Sequence, residues 1–258
     1  MMFDFFFWRK ERLPLPYSRE IHCHLIPGVD DGSTSMDFTM KAIKFLEKYG
    51  VEKLIITPHY TYPKFINTPE KIQPVFDAIK DRVAKAGLEI KCENFSFEYR
   101  VDRSFEHMID EGPLGSLSCQ IRPMKGKWIL IENAWDTPYA RMDDVIERLK
   151  QEGYKVILAH PERYRYYAER PGEFYYHLRE RGVYFQCNLL SLAGAYGKME
   201  KEVAHWMLKK GFIQFLGSDI HNSRHLECVE RYLKSNEYSE NYDRLSDIIL
   251  NDVMGTQR

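Results

Sequence analysis

Two histidines and two aspartates lie close together near the start of the chain, in the stretch IHCHLIPGVDDGS at residues 21–33. His22 and His24 are two positions apart, so on a β-strand both side chains would point to the same face and could bind one metal ion. Asp30 and Asp31 follow in a turn that contains glycines. Imidazole and carboxylate together suit zinc, iron or manganese. The alternative is a strand end that runs into an ordinary turn, and this stretch alone does not decide between the two.

Side chains of the same two kinds end most of the other short apolar segments of the chain. They are His59 in IITPHY, Glu98 in FEYR, Glu132 in LIEN, His160 in ILAHPERY, and Asp219 with His221 in GSDIHN. With His22, His24 and Asp31 they make nine candidate ligands, enough for two or three ions that share carboxylates. The set contains no thiolate, so we expect an open catalytic site and not a structural zinc site. The other histidines lie away from the strand ends and are expected on the surface or in the core: His107, His177, His205 and His225.

Charge favours a phosphate substrate for such a site. Three divalent ions would bring about six positive charges. The carboxylates that face them would be Asp31, Glu98, Glu132 and Asp219. With a bridging hydroxide the site keeps a small positive charge, which attracts a phosphate dianion.

One arginine stands out as a substrate clamp. Arg163 comes shortly after His160, and a guanidinium group can bind phosphate oxygens through two N–H groups. A salt bridge with Glu162 is the alternative role for Arg163. Arg224, after the last ligand pair, and Arg100, two residues after a candidate ligand, are weaker candidates for the same role.

Seven short segments rich in β-branched or aromatic residues predict the strands that must position these side chains. They are REIHCHL, KLIITPHY, NFSFEYR, KWILIENAW, KVILAHPERY, VYFQCNLLS and FIQFLGSDIH. Segments of helical period lie between most of them, and glycines such as Gly50 and Gly211 follow the predicted helix ends. This alternation predicts an α/β protein with parallel strands, in an open sheet or a closed barrel. No GxGxxG or GxxxxGKS/T turn follows the first strand, which favours the barrel, where active sites collect at the carboxyl ends of the strands.

Composition argues against several classes of function. The chain of 258 residues has 37 basic and 38 acidic side chains, which gives no basic surface for a nucleic-acid backbone. Its 5 cysteines are widely spaced and form no CxxC motif, so we expect neither disulfides nor a zinc knuckle, and a reducing cytoplasm fits best. No apolar segment is long enough to span a membrane, so we expect a cytoplasmic protein.

Residues 1–18 are predicted to form an aromatic arm that precedes one domain of residues 19–258. The arm begins MMFDFFFWRKERLPLP, and its aromatic residues adjoin basic ones as in an interfacial membrane anchor. The alternative is that the arm packs on the protein's own surface or on a neighbouring subunit of a homo-oligomer.

Together these segments resemble the polymerase-and-histidinol-phosphatase (PHP) family of metal-dependent phosphoesterases. The form VDDGS after the two histidines, with AHPERY, favours the bacterial PHP-type protein-tyrosine phosphatases of capsule and exopolysaccharide loci. The resemblance implies a distorted (βα)7 TIM-like barrel with about three divalent ions, most often manganese and sometimes iron or zinc. It implies all nine candidates as ligands, with Glu98 as a bridging carboxylate. It also favours Asp31 as the ligand and leaves Asp30 to hold the turn or a neighbouring ligand.

The resemblance implies a substrate as well, phosphotyrosine on a partner tyrosine kinase that regulates capsular or exopolysaccharide synthesis. A cysteine-dependent phosphatase would need an arginine about six residues after its nucleophilic cysteine, and no cysteine of this chain has one. We therefore expect a metal-bridging hydroxide to attack phosphorus, while the ions and Arg163 stabilise the developing charge. A tyrosyl group leaves readily, so no general acid is assigned.

Three other functions stay open from the sequence. The same chemistry could act on a small phosphomonoester such as histidinol phosphate. A PHP domain that had lost catalysis could serve as a binding module beside a kinase, although such a domain should lack several of the ligands. The family also includes nucleases, which the near-neutral charge of the chain does not favour.

Overall fold

The computed structural model describes residues 13–110, 121–168 and 170–254. Within these residues every strand runs parallel to its neighbours, as the alternation of strands and helices predicts. The strands are β1 (Arg19–Glu20), β2 (Lys53–Ile56), β3 (His59–Tyr60), β4 (Lys91–Phe95), β5 (Glu98–Arg100), β6 (Trp128–Glu132), β7 (Lys155–Ala159), β8 (Tyr184–Asn188) and β9 (Phe215–Gly217). All seven predicted strand segments are present, and the second and third are each divided in two.

The strands form a three-stranded sheet in the order β1-β2-β4 and a six-stranded sheet in the order β3-β5-β6-β7-β8-β9. The division falls at Pro58, which lacks the backbone N–H that a continuous ladder needs. Hydrogen bonds from Ser96 N to Ile56 O (2.9 Å) and from Glu98 N to Pro58 O (3.1 Å) keep the two divided segments side by side. The two sheets therefore continue into each other.

The first and last strand segments are also joined. Asp219 N donates to His22 O at 2.9 Å, and His24 N donates to Ile220 O at 3.2 Å. These two bonds connect the residues that follow β1 with those that follow β9, so the curled parallel sheet closes on itself. The barrel expected from the sequence is confirmed.

Helices cover the outside of the barrel. They are α1 (Met36–Lys48), α2 (Pro69–Lys85), α3 (Arg103–Asp110), α4 (Met142–Gln151), α5 (Arg165–Ala168), α6 (Pro171–Glu180), α7 (Leu189–Leu192), α8 (Lys198–Lys210), α9 (Ser223–Leu233) and α10 (Asn236–Ile248), with short 3₁₀ turns at Pro161–Arg163 and Asn251–Val253. Ser35 caps the start of α1 by accepting a hydrogen bond from Phe38 N. Gly211 ends α8 in the left-handed conformation, as predicted for a C-terminal glycine.

The interior of the barrel changes from apolar to polar along the strands. A small apolar cluster separate from the main core fills the lower part, and it includes Ile21, Ile55, Leu130, Ile157 and Phe215. Because alternate strand residues face the same side, Glu132 lies on the inner face above Leu130, and Asp219 lies above Phe215 in the same way. The polar residues that end the strands are thus gathered over an apolar floor.

The lower end of the barrel is closed by the C-terminal 3₁₀ turn. The side-chain amide of Asn251 is fully buried and donates to Arg19 O at 2.9 Å and to Leu216 O at 2.8 Å. Its Oδ1 accepts from Leu216 N at 3.0 Å. One side chain therefore bridges β1 and β9 at the end opposite the candidate ligands.

Most of the predicted N-terminal arm, residues 1–12, lies outside the described residues, so its membrane or subunit contact stays a prediction. Residues 13–18 pack on the domain, where Leu15 and Tyr17 are buried and Leu15 N donates to Tyr49 O at 2.8 Å. None of the helices in the described parts of the chain is both long and apolar enough to cross a membrane.

The closure of the barrel predicts a requirement for glycine at position 217. A Cβ atom there would lie 2.6 Å from the Cβ atom of His22 and 2.8 Å from Nε2 of Gln186. We expect Gly217→Ala to lower the free energy of unfolding in urea by about 1–3 kcal/mol, because the crowded strands must separate. Gly172→Ala is the matched control, since a Cβ atom at position 172 would have no neighbour within 4 Å. Equal stability of the two variants would contradict this account of the closure.

Candidate metal centre

Eight of the nine predicted ligands meet above the apolar floor of the barrel. Their candidate ligand atoms form four overlapping groups, and within each group these atoms lie within 4.8 Å of one another. The groups are His24 with His59 and His221; His22 with His24 and Asp219; His22 with Glu98 and His160; and His59 with Glu98 and Glu132. Residues from both ends of the chain are thus brought to one place by the order of the strands.

Glu98 lies at the centre of this cluster and is fully buried. Its Oε2 atom lies 3.3 Å from Nε2 of both His22 and His24 and 3.1 Å from Nδ1 of His59. Its Oε1 atom lies 2.8 Å from Nε2 of His160. The position of Glu98 among four imidazoles is what a bridging carboxylate requires.

The electrostatics of the cluster favour cations. Burial raises the pKa of Glu98, but the surrounding histidines, when charged, outweigh burial and hold this pKa well below its ordinary value. Burial lowers the pKa of His22, but the carboxylates of Glu98 and Asp219 outweigh burial and raise it to about 9. Without metal, His22 therefore holds a proton that helps to balance the buried carboxylates, and metal binding would release this proton.

Several buried polar atoms of the cluster make no hydrogen bond of good geometry, although the oxygens of Glu98 lie 2.8–3.3 Å from imidazole nitrogens. They are both carboxylate oxygens of Glu98, Oε2 of Glu132, and Nδ1 of His59 and of His160. Unsatisfied polar atoms are costly inside a protein, and a set of them in one place calls for a bound group. Imidazole and carboxylate are good ligands for zinc, iron and manganese. The residues present therefore fit a centre of divalent ions.

The two neighbouring aspartates occupy different positions. The Asp30 side chain is covered: its Oδ2 lies 2.9 Å from Nδ1 of His24 and accepts from His59 N at 3.0 Å. Burial raises the pKa of Asp30, but the hydrogen bond and the charge of His24 outweigh burial and lower it to about 2. The Asp31 side chain is 54% exposed, and its Oδ1 lies 3.4 Å from Nε2 of His59 and 3.7 Å from Nε2 of His221. This arrangement supports Asp31 as a ligand at the mouth and Asp30 as the residue that orients His24.

A strand without a predicted ligand supplies further orienting residues. On β8, Gln186 accepts from Nδ1 of His22 at 2.8 Å and donates to Asn188 at 2.8 Å. Asn188 in turn donates to Oδ2 of Asp219 at 2.6 Å, so Oδ1 of Asp219 is left to face His22 and His24. The only sequence signal for this pair was two amides at strand spacing in a buried strand.

Two candidate ligands have a strained backbone. His160 and Asp219 adopt φ angles of 33° and 48°, in the left-handed region that favours glycine. Such a conformation costs roughly 1–3 kcal/mol for each residue and tends to occur at functional sites. Both residues lie just after strands, where the chain turns out of the barrel. The strained backbone thus costs stability but directs these two side chains into the cluster.

A cavity of about 330 Å³ opens above the cluster. It is lined by Asp31, His59, Trp135, His160, Arg163, Tyr196, Asp219, His221, Asn222 and His225. The Arg163 guanidinium lies 3.9 Å from the ring centres of both Trp135 and Tyr196, and Nη1 donates to Oδ2 of Asp219 at 3.1 Å. Arg163 is therefore held at the mouth of the site by two rings and one carboxylate.

Two other candidate arginines lie outside the lining of this cavity, and one histidine that was not a candidate lies within it. Arg224 is exposed in the first turn of α9, Arg100 is half-buried on β5, and neither is among the residues that line this cavity. His225 was expected away from the site, but it lines the cavity and its Nδ1 accepts from His221 N at 3.3 Å. Its position four residues after His221, on the first turn of α9, brings it back over the site.

A protein-family model for capsular polysaccharide synthesis, CpsB/CapC, matches residues 18–246. The chain belongs to this family. The CpsB/CapC match spans every predicted ligand, and it confirms the family resemblance that the sequence motifs indicated.

Relatives of this chain have named activities. The chain is 30% identical over 203 residues to the tyrosine-protein phosphatase YwqE of Bacillus subtilis, covering 79% of this chain and 77% of YwqE. It is 24% identical over 247 residues to the putative tyrosine-protein phosphatase CapC of Staphylococcus aureus, covering 88% of this chain and 92% of CapC. A solved structure from work on YwqE and on CpsB of Streptococcus pneumoniae, described as unique metal-dependent tyrosine phosphatases, matches with a TM-score of 0.72 at 26% identity, over 90% of this chain and 95% of that chain.

The positions of the two aspartates predict different consequences for their loss. Asp31→Asn should reduce the metal bound per chain, measured by mass spectrometry of the eluted ions, and should leave the Tm of the metal-free protein unchanged because Asp31 is exposed. Asp30→Asn should retain most of the metal with about tenfold weaker affinity, and should lower the Tm of the metal-free protein because a buried partner of His24 loses its charge. The reverse order of effects on metal content would show that Asp30 is the ligand.

Proposed function

We propose that this protein is a metal-dependent phosphatase that removes phosphate from tyrosine side chains of a protein. The observation that carries the proposal is a buried cluster of histidines and carboxylates with unsatisfied ligand atoms, beneath an open cavity with an arginine at its mouth. The relatives named as tyrosine-protein phosphatases support the choice of tyrosine phosphate as substrate.

The cluster and Arg163 have complementary roles in this proposal. Bound divalent ions, about three and most often manganese, would activate water as the nucleophile and neutralise charge on the phosphate. Arg163 keeps N–H groups free for phosphate oxygens because Asp219 takes only one of its nitrogens. Its two stacked rings fix the guanidinium plane, so little side-chain entropy is lost when phosphate binds. Asp31 lies at the same mouth and would complete the ligand set on the solvent side.

Among the described residues, no cysteine lines the cavity above the cluster. Cys23 and Cys187 are fully buried in the main core, and burial raises the pKa of both thiols well above the ordinary value. Burial also raises the pKa of the Cys92 thiol to about 11. Thiols with such pKa values are protonated and weakly nucleophilic at neutral pH. Activated water is therefore the better nucleophile for this site.

We propose further that the phosphotyrosine belongs to a tyrosine kinase that regulates capsular or exopolysaccharide synthesis. The family description, capsular polysaccharide synthesis, supports this place of action. The reaction would take place in the reducing cytoplasm, which is favoured by the wide spacing of the cysteines and by the absence of a disulfide among those in the described residues.

The metal-loaded protein should hydrolyse a phosphotyrosine peptide in preference to histidinol phosphate. We expect His22→Ala to lower kcat/KM for the peptide by about 100-fold or more, because a ligand shared by two of the groups is lost. His177→Ala is the matched control, since His177 is a surface histidine paired with Asp143. Turnover of histidinol phosphate alone would contradict the substrate, and unchanged activity of His22→Ala would contradict the site.

A chelator should abolish the activity, whereas a thiol reagent should leave it unchanged. Prolonged treatment with EDTA should abolish activity and lower the Tm, since ions that bind only the folded protein stabilise it. Alkylation with iodoacetamide should leave kcat/KM unchanged within about twofold, because the mechanism uses no thiolate. Loss of activity after alkylation, with the metal content retained, would show that a cysteine takes part.

A further inference from the structure

Trp135 is a large apolar side chain that stays partly exposed beside the candidate site. It follows β6, three residues after Glu132, and 37% of its surface is exposed. The other large apolar residues nearby in sequence, such as Ile129 and Ile131, are fully buried. An exposed tryptophan is ordinary by itself, but one at the mouth of a cavity is available to a ligand.

Trp135 belongs to the walls of two neighbouring cavities. One is the cavity of about 330 Å³ above the candidate ligands, and the other has a volume of about 450 Å³. The second cavity is lined by Trp135, Asp136, Arg163, Arg165, Tyr196 and Glu200, so the two share a wall made of Trp135, Arg163 and Tyr196. A phosphate over the cluster would carry its organic group past this shared wall on the way to the second cavity.

The indole ring is held in place on the protein side. It stacks on the imidazole of His160 with the ring centres 5.1 Å apart and an angle of 19° between the planes. The guanidinium of Arg163 lies 3.9 Å from the centre of the same ring. A ring fixed in this way can offer its remaining surface to a ligand with little loss of side-chain entropy.

Other aromatic side chains near the ligands are less available. Tyr196 is half-buried, its ring contacts Arg163, and its hydroxyl donates to Asp219 at 3.1 Å. Phe65 stacks on His59 at 5.7 Å and is covered by the Lys64 ammonium group at 4.6 Å, and Phe65 is not among the residues that line either cavity. Trp135 therefore combines exposure, a fixed ring and a place in both cavities.

We infer that Trp135 selects aryl phosphates over alkyl phosphates by packing against the aromatic ring of the substrate next to the phosphate. This inference rests on the proposed function and names the residue that determines its specificity. Contact with indole contributes more binding free energy for an aromatic ring than for a short alkyl chain, because the ring buries more apolar area and forms a ring-to-ring contact. Because Trp135 also holds Arg163, its loss can weaken the binding of any phosphate, and the contact with the organic group is read from the ratio of aryl to alkyl affinity.

The test compares two phosphonates, which resemble the substrates but are not hydrolysed. Calorimetry would measure the Kd of phenylphosphonate and of methylphosphonate for the manganese-loaded wild type, Trp135→Leu and Trp135→Phe. We expect Trp135→Leu to weaken phenylphosphonate by about three- to tenfold more than methylphosphonate, whose affinity reports any loosening of Arg163. Trp135→Phe should recover part of the lost affinity. Tyr176→Leu is the matched control, since Tyr176 is a 51% exposed aromatic residue outside both cavities.

Equal weakening of both phosphonates would show that Trp135 acts only by holding Arg163 or His160, and would overturn the inference. So would a selective loss of phenylphosphonate in Phe65→Leu but not in Trp135→Leu. The phosphonate Kd values need no turnover, so they can be read even where the phosphotyrosine peptide is not hydrolysed. A phosphatase without activity on that peptide would contradict the proposed substrate, and the ratio of the two Kd values would still decide the role of Trp135.

Discussion

One buried carboxylate, Glu98, is the group on which the rest of the site depends. Four imidazoles lie within 3.3 Å of its oxygens, and the residue is fully buried. A carboxylate in such a place costs several kcal/mol unless cations surround it. The histidines can provide the cations only as protonated groups, whereas divalent ions would balance the charge and also coordinate the carboxylate oxygens that make no hydrogen bond. The chemistry of the site and the stability of the barrel are therefore linked.

The barrel provides the geometry that this cluster needs. Alternate residues of each strand face inward, so the lower positions can be apolar while the last positions bear ligands. Closure between the residues after β1 and those after β9 brings His22 and His24 beside Asp219. This close approach requires a left-handed backbone at Asp219, which costs stability. It also requires glycine at position 217, where a Cβ atom would clash with neighbouring side chains. Parallel strands alone would place the ligands at one edge, and the closure is what makes them a cluster.

The sequence predicted the parts of the site that depend on strand ends. His59, Glu98 and Glu132 could be assigned to one place because the carboxyl ends of parallel strands meet at one end of a barrel. Gln186 and Trp135 could not be found in this way, because an amide in a buried strand and an aromatic residue in a loop have many roles, and only the three-dimensional contacts distinguish them. Motif order was enough for the family and the barrel, whereas the wall of the cavity depends on loop geometry that no short pattern encodes.

The most direct test of the metal centre is anomalous X-ray diffraction from crystals of the manganese-loaded protein, recorded above and below the manganese absorption edge. The account predicts anomalous density among the side chains of His22, His24, His59 and Glu98, and none there in crystals of the chelator-treated protein. Crystals grown with excess manganese that show density only on the protein surface, or none at all, would contradict it.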